Sequence, residues 1–519
     1  MCGIFLVYNP LVGFKDHFKE FYEGDQISLT GNVLNGLDPY ISDRLIPLIQ
    51  NRGPNYLSLR SIESLNTLWV SSILSLRQPF TTQSVVTANN RFILQFNGEL
   101  YNDEIQYNDT QYIVSLLSDE NSTVPNIIRQ LNGEFSYTIF DTLNNCIYFG
   151  RDPIGKRSLS YHLNTENNQL SVASVTGQCT QDYINCKAGV IYRYDTIRHT
   201  LDSSLSIQPP YKVTNVIDME RTTLNDTVDQ LYFELARAVQ RRIDSIHPRH
   251  VENSPIAVLF SGGLDCSILV ALICQHLLAK GSKDTVLELL NVAFENPRTG
   301  LQPCDVPDRK LAIQSHQVLQ NLFPSIKIKL LEIDVPYDEY LKCRPRVIDL
   351  IYPKQTEMDL SIAIAFYFAS RGVGYITEDQ DQRIPYTRHG IVLFSGLGAD
   401  ELYGGYHKFN NRSFDELTVE LASQINNIHD RNLNRDDKVI ADNGVEVRYP
   451  FLDNDVVKYS TEMIPINFKM SKLILRELAD KKLNLGSIAM EPKRAIQFGS
   501  KSAKMTKNGN KNGTDILKP

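Results

Sequence analysis

The chain reads as two domains of different class: an α+β half built on antiparallel sheets, then an α/β half wound around a parallel sheet. Three observations predict this. At 519 residues it exceeds an ordinary single domain. Up to about residue 200, short strand-like runs follow one another between turns, with few helical patches. From residue 225 the texture changes, and strand-like and helix-like segments alternate.

In the first half the runs 4–8, 68–70, 135–140, 147–149 and 159–161 are rich in aliphatic and aromatic residues, and 109–117 is a helical patch. Residues 202–224 are polar, with Pro209-Pro210, and read as a connection. Asn225 caps an amphipathic helix to about residue 243, its apolar stripe set by Leu231, Leu235, Ala238 and Val239. Then follow strand 256–260, helix 264–278, strand 288–294, helix 307–322, strand 326–333, helix 359–371, strand 391–394 and helix 399–403. The polar stretch 378–389 reads as an exposed insertion, and the lysine-, glycine- and asparagine-rich end as a disordered tail. The expected boundaries are a first domain at 1–205, a linker at 206–224, a second domain at 225–499 and a basic tail at 500–519.

Hydrophobic residues make up 42% and charged residues 22%, a soluble globular balance with ample core. A formal charge of −7 argues against nucleic acid as a partner. The longest apolar stretch, 269–278, is broken by Gln275 and His276 and falls short of the ~20 residues of a membrane span. No basic segment precedes a long apolar run at the N-terminus, so the expectation is a cytoplasmic protein. Eight cysteines without a C-x-x-C pair speak for reduced thiols and against zinc.

The start, Met1-Cys2-Gly3-Ile4, is the most informative feature. A small side chain after Met1 permits its removal, leaving Cys2 with a thiol and a free α-amine. That amine has a pKa of ~7.7–8.0 and can take the thiol proton. Four later segments supply partners: Asn51-Arg52-Gly53-Pro54-Asn55, Asn97-Gly98-Glu99-Leu100-Tyr101-Asn102, Asn108-Asp109-Thr110 and Arg151-Asp152-Pro153-Ile154-Gly155. A strand ending in Asn97-Gly98 can aim a side-chain amide and an unhindered N–H at one point, the donor pair of an oxyanion hole. In this order, residues 1 to roughly 200 resemble a class II glutamine amidotransferase domain of the N-terminal-nucleophile type. The resemblance implies that Cys2 attacks the glutamine carboxamide, with Asn97 and Gly98 holding the oxyanion. It also implies that Arg52 clamps the α-carboxylate while Glu99 and Asp109 face the α-ammonium.

Two strands of the second half end alike, one in Ser261-Gly262-Gly263-Leu264-Asp265, the other in Ser395-Gly396-Leu397-Gly398-Ala399-Asp400. Glycine lets backbone approach a phosphate, and successive N–H groups with a helix N-terminus hold its charge. A carboxylate there makes sense with Mg²⁺ between it and the phosphate. No G-x-x-x-x-G-K-[ST] occurs, which excludes a Walker A loop. Ser-Gly-Gly-x-Asp is the pyrophosphate-loop signature of enzymes that adenylate a substrate. With Gly404-Gly405-Tyr406 and Glu446-Val447-Arg448-Tyr449-Pro450-Phe451-Leu452-Asp453, the chain resembles glutamine-hydrolysing asparagine synthetases to about Gly499.

That resemblance implies an ATP-pyrophosphatase fold and the cofactors ATP and Mg²⁺. Leu259, Ser261, Gly262, Gly263, Asp265, Ser395, Gly396 and Asp400 would contact ATP or pyrophosphate, with Asp265 and Asp400 on the metal. The 446–453 segment would shape an aspartate pocket. Glutamine, aspartate and ATP would be the small-molecule partners, without nucleic acid or membrane, and a homodimer is left open as the assembly.

One departure lies at the first site and two at the second. Leu397 stands where the family has a glutamate, Asn55 where it has aspartate, and Lys493 two residues from the family's Lys-x-Gln-Phe position. These departures mark the asparagine-synthetase-domain-containing branch, for which asparagine does not follow from the motifs. The first-choice reading is a glutaminase feeding an adenylating, asparagine-forming domain. The alternatives are amidation of another carboxylate, or a non-synthetic protein binding nucleotide or partners through an inactive synthetase site.

Overall fold

The computed structural model describes residues 2–25, 39–119, 122–253, 255–281, 285–378, 382–409, 411–505 and 512–517. Met1, whose removal the sequence reading requires, lies outside them. The chain divides into two compact units. The first comprises residues 1–209, 348–354 and 429–446; the second comprises 210–347, 355–428 and 447–519. The first unit therefore recruits two late segments that the expected boundary at residue 205 assigned elsewhere.

The first unit stacks two antiparallel sheets. In one, Gly3–Tyr8 is central, flanked by Gln169–Ala173 and Thr67–Ile73. In the other, Phe92–Leu100 pairs with Gly133–Asp141, which pairs with Cys146–Arg151. Alternation along Phe92–Leu100 explains the stacking. Phe92, Leu94 and Phe96 pack with Ile113 and Leu117 of helix Asp109–Leu117, while Ile93 joins Ile4, Leu6 and Trp69 between the sheets. Gln95 shares that inner face, and its amide reaches Phe5 O (3.1 Å), Val70 O (3.0 Å) and Ser71 Oγ (2.7 Å) of the facing sheet. This is the expected α+β architecture.

The second unit is built on a sheet in which Lys327–Val335, Val286–Phe294, Ile256–Leu259 and Val392–Phe394 run parallel in that order. Chain order runs outward from Ile256–Leu259 and then returns to its other side at Val392–Phe394. The cleft beyond the carboxyl ends of these two strands is thus a topological switch point, where open α/β sheets bind ligands. Both Ser-Gly loops leave from there. Helices Leu264–Ala279, Pro307–Leu322 and Glu357–Arg371 connect and cover the strands, as the sequence pattern predicts.

The 378–389 stretch is largely exposed, as expected, and it is also regular. Apart from residues 379–381, which lie outside the described set, it belongs to a hairpin, Val373–Glu378 with Gln382–Thr387, that extends the sheet edge. Buried Glu288 holds its far end, accepting from Tyr386 Oη (2.7 Å) and the N–H groups of His389 and Gly390. The tail is docked where described. Phe294 N–H donates to Ser500 O (3.0 Å), Asn296 Nδ2 to Lys501 O (2.9 Å) and Leu517 N–H to Gln355 O (2.7 Å), satisfying backbone groups that composition cannot reveal. Residues 506–511 and 518–519 of the tail lie outside the described set.

Candidate functional sites

In the first unit the period-2 alternation that turns Gln95 inward turns Asn97 inward as well. Its Oδ1 accepts from Cys2 N at 2.8 Å. In the processed chain that nitrogen is the α-amine, so Asn97 would position the base. The other end of the same amide, Nδ2, is buried and has no hydrogen-bond partner among the described residues. A buried donor without a partner costs ~1–3 kcal/mol, and an oxyanion beside Cys2 would relieve that cost. Gly98 follows at φ +153°, and a Cβ there would lie 2.1 Å from Glu134 O. Only glycine fits. Burial pushes the Cys2 thiol up, the Leu74 N–H opposing, so the resting sulfur is protonated and requires a base.

A pocket opens over Cys2, lined also by Arg77, Gly98, Glu99, Asp109 and Glu446. Asp109 opens its helix behind Asn108, whose side chain accepts from the N–H groups of Thr110 and Gln111. Burial raises the Asp109 carboxyl, Glu99 adds to the effect, and Arg77 opposes it.

Arg52, expected to clamp the α-carboxylate, lies next to Cys2. Its side chain is 1% exposed, with Nη2 2.8 Å from Asp437 and Nε 3.2 Å from Cys2 O, and it does not line the pocket. Asp437 also accepts from Ser158 N (2.9 Å) and Ser158 Oγ (2.6 Å). Burial pushes Asp437 up, but Arg52 and Arg157 outweigh it and hold the carboxyl below its ordinary range. The helix Asn434–Ala441 that carries Asp437 is buried at every position.

In the second unit the two Ser-Gly loops touch: a Cβ on Gly396 would lie 2.9 Å from Asp265 Cβ. Gly262 has φ +81°, and a Cβ there would meet Ala312 N at 2.6 Å, so the loop presses onto helix Pro307–Leu322. Ser261 Oγ accepts from Gly263 N (3.4 Å), and Ser395 Oγ from Leu397 N (3.3 Å). Ser395 N donates to Arg448 O (3.0 Å). Leu259 ends its strand buried, just ahead of the first loop. Gly263 caps the sixteen-residue helix Leu264–Ala279, whose first-turn N–H groups offer an anion site.

Asp265 and Asp400 converge. Lys472 Nζ lies 2.6 Å from an oxygen of each. Between two carboxylates, and despite burial, the Lys472 ammonium is held above its ordinary value. Lys493, two places from its expected register, still reaches Asp400 and lies 4.3 Å from the centre of the Tyr406 ring. Burial pushes Asp400 up, yet Lys472 and Lys493 together hold it below the ordinary carboxylate range. Tyr406 Oη donates to Glu401, which burial and then Asp400 push up.

Sequence reasoning missed Lys472. It sits at φ +61° directly after Ser471 at φ +52°, two left-handed residues that are not glycine. Such conformations persist where surroundings enforce them, often at functional sites. The available signal was weak: a lone lysine before the apolar-periodic stretch Leu473-Ile474-Leu475-Arg476.

Among the described residues no cluster of three or more His, Cys, Asp or Glu could hold a metal, and no helix is long and apolar enough to cross a membrane. Two carboxylates close enough to share one cation do fit Mg²⁺, which takes its remaining oxygens from phosphate and water.

The asparagine synthase family model matches residues 238–418 and 410–517, and a glutamine amidotransferase domain matches 72–181. An asparagine synthetase domain-containing protein of Saccharomyces cerevisiae is 58% identical, over 100% of this chain and 99% of its own. Asparagine synthetase domain-containing protein 1 of Bos taurus is 28% identical, over 91% of this chain and 94% of its own. A putative glutamine-hydrolysing asparagine synthetase of Methanocaldococcus jannaschii is 24% identical, over 82% and 81%. The chain belongs to the asparagine synthase family, among the asparagine synthetase domain-containing proteins.

Proposed function

We propose that the chain is a glutamine-dependent, ATP-consuming amide-forming ligase, with asparagine as its product. The observation that carries the glutaminase half is the arrangement around Cys2: its nitrogen held by Asn97 Oδ1, with Asn97 Nδ2 buried and unpartnered among the described residues. After removal of Met1, the α-amine takes the thiol proton and Cys2 Sγ attacks the carboxamide carbon of glutamine. Asn97 Nδ2 and the Gly98 N–H then receive the charge that develops on oxygen. The amine returns the proton to the departing ammonia, and water releases glutamate. Glu99 and Asp109 face the α-ammonium.

In the second unit Ser261, Gly262, Gly263, Ser395 and Gly396 would hold the phosphates of ATP beside Leu259. Asp265 and Asp400 would hold Mg²⁺, which when bound neutralises phosphate charge. Lys472 orients both carboxylates. The acceptor carboxylate, that of aspartate, attacks the α-phosphorus and pyrophosphate leaves; ammonia then displaces AMP. Family membership supports ligase chemistry, and Leu397 is why the acceptor needs direct identification.

The test is ammonia release from glutamine by the purified chain, with and without Cys2→Ala. Loss to below a few per cent supports Cys2 as nucleophile; retention of activity overturns the glutaminase assignment. Nucleotide products decide the second site, AMP with pyrophosphate supporting adenylation and ADP with phosphate excluding it.

A further inference from the structure

The second unit holds a buried carboxylate, Asp308, that no motif announced. It is 3% exposed, and among the described residues its side chain has no hydrogen-bond or ion-pair partner. Helix capping does not account for it: Asp308 stands in the first turn of Pro307–Leu322, a helix without a side-chain cap. Burial pushes its carboxyl up to about 7, with Arg494 and Lys501 opposing through space. A Cβ on Gly499 would lie 2.0 Å from both of its oxygens, so the chain crosses directly over them. An unpaired buried charge is strongly disfavoured, and a bound cation would relieve it.

Asp308 also lies beside the nucleotide loops. Asn291 Nδ2 donates to Phe260 O (2.9 Å), directly before Ser261, and to Asp308 O (3.4 Å). One helical turn on, Ala312 meets Gly262. Lys493, which reaches Asp400, is the chain neighbour of Arg494. In the segment expected to shape an aspartate pocket, Arg448 and Asp453 are engaged elsewhere. Arg448 Nη1 donates to Ser245 Oγ (2.6 Å), and Asp453 accepts from Arg242 Nη1 (2.7 Å). We propose that Asp308 binds the ammonium group of the acceptor, which makes the acceptor an amino acid, with Arg494 and Lys501 facing its non-reacting carboxylate. One carboxylate and two cations complement one ammonium and two carboxylates, the charges of aspartate. This rests on the reading of the second site as an adenylating one.

The experiment measures ATP–pyrophosphate exchange by the full chain with Mg²⁺ and each of three acids. These are L-aspartate, succinate, which lacks the ammonium, and 3-aminopropanoate, which lacks the non-reacting carboxylate. Wild type should prefer aspartate to succinate by ~10²-fold or more in kcat/KM, since a site built to pair a polar group discriminates strongly against its absence. Asp308→Asn should bring that preference to within about threefold of unity, mostly through the KM for aspartate. Arg494→Met combined with Lys501→Met should instead lower the preference for aspartate over 3-aminopropanoate, by ~10-fold. Asp308→Asn should melt no lower than wild type, because it removes an unpaired buried charge; that result also shows the variant folded. A wild type indifferent to the ammonium, or an Asp308→Asn chain that keeps the wild-type preference or loses both acids equally, overturns the assignment of Asp308 while leaving adenylation intact. A wild-type chain that exchanges with none of the three acids overturns the underlying reading, and this assignment with it.

Discussion

Replacing Lys472 by methionine keeps its length and removes its charge, so it isolates what the ammonium does between Asp265 and Asp400. Each carboxylate has an oxygen 2.6 Å from Nζ, which puts those oxygens at most ~5 Å apart. At an effective dielectric of ~20, two unit charges at that separation repel by ~3 kcal/mol. The measured cost of removing one partner from a buried ion pair, ~3–5 kcal/mol, is of the same size. Without the ammonium, each carboxylate pushes the other up, so one of the two carboxyls titrates above its unfolded value. The sign follows: above that raised value both states are ionised and the penalty is complete, and protonation of the folded state relieves it as pH falls. Thermal melts should show Lys472→Met destabilised by ~5–10 °C at about pH 8, with the deficit shrinking as the pH is lowered. Millimolar Mg²⁺ should restore part of the loss at pH 8 by taking the place of the ammonium. A melting temperature equal to wild type at pH 8, or a deficit independent of pH, would refute the reasoning.

Asn97→Ala removes both the anchor of Cys2 N and the buried amide donor, so ammonia release from glutamine should fall ~10²–10³-fold; a loss under tenfold would place the oxyanion elsewhere. Lys469 is 1% exposed, and burial pushes its pKa down to about 7. Against an unfolded value of ~10.4, the penalty is complete below about pH 7 and fades as pH rises toward ~10. Lys469→Met should therefore stabilise by up to ~4 kcal/mol near pH 6 and far less near pH 10; an equal gain at both would contradict this. Leu397 can neither accept a proton nor orient an amine, so Leu397→Glu should raise asparagine formation at least ~10-fold without altering glutaminase rate. An unimproved rate in an already fast enzyme would show that position 397 carries no base.

Much of the fold was legible because it rests on local periodicity. Alternation along 92–97 places Gln95 and Asn97 on one face before any partner is known, and the matched Ser-Gly strand ends mark a switch point by their chemistry alone. What was not legible depends on distant pairing. Arg52 sits in a turn motif that advertises a ligand, yet its guanidinium is held by Asp437, 385 residues away. The helix around Asp437 reads Asn434-Arg435-Asp436-Asp437-Lys438, as polar as a solvated surface. It is buried because Asp437 meets Arg52 and Ser158, and Lys438 Nζ meets Tyr352 O (2.7 Å). Arg77 follows an unremarkable Leu-Ser-Leu, and Lys472 depends on a left-handed backbone pair that no propensity scale anticipates. The tail looked disordered because its partners, Phe294 N–H, Asn296 Nδ2 and Gln355 O, lie far away in the chain and leave no compositional trace.

The central claim is that the amide nitrogen of glutamine, freed at Cys2, ends on a carboxylate activated through ATP. It is tested most directly by incubating the wild-type chain with [amide-¹⁵N]glutamine, aspartate, ATP and Mg²⁺, and following the label by mass spectrometry alongside the nucleotide products. The expected result is ¹⁵N in the side-chain amide of asparagine, one AMP and one pyrophosphate per label transferred, and no transfer in Cys2→Ala. Label found solely as free ammonia, with no AMP formed, would contradict it.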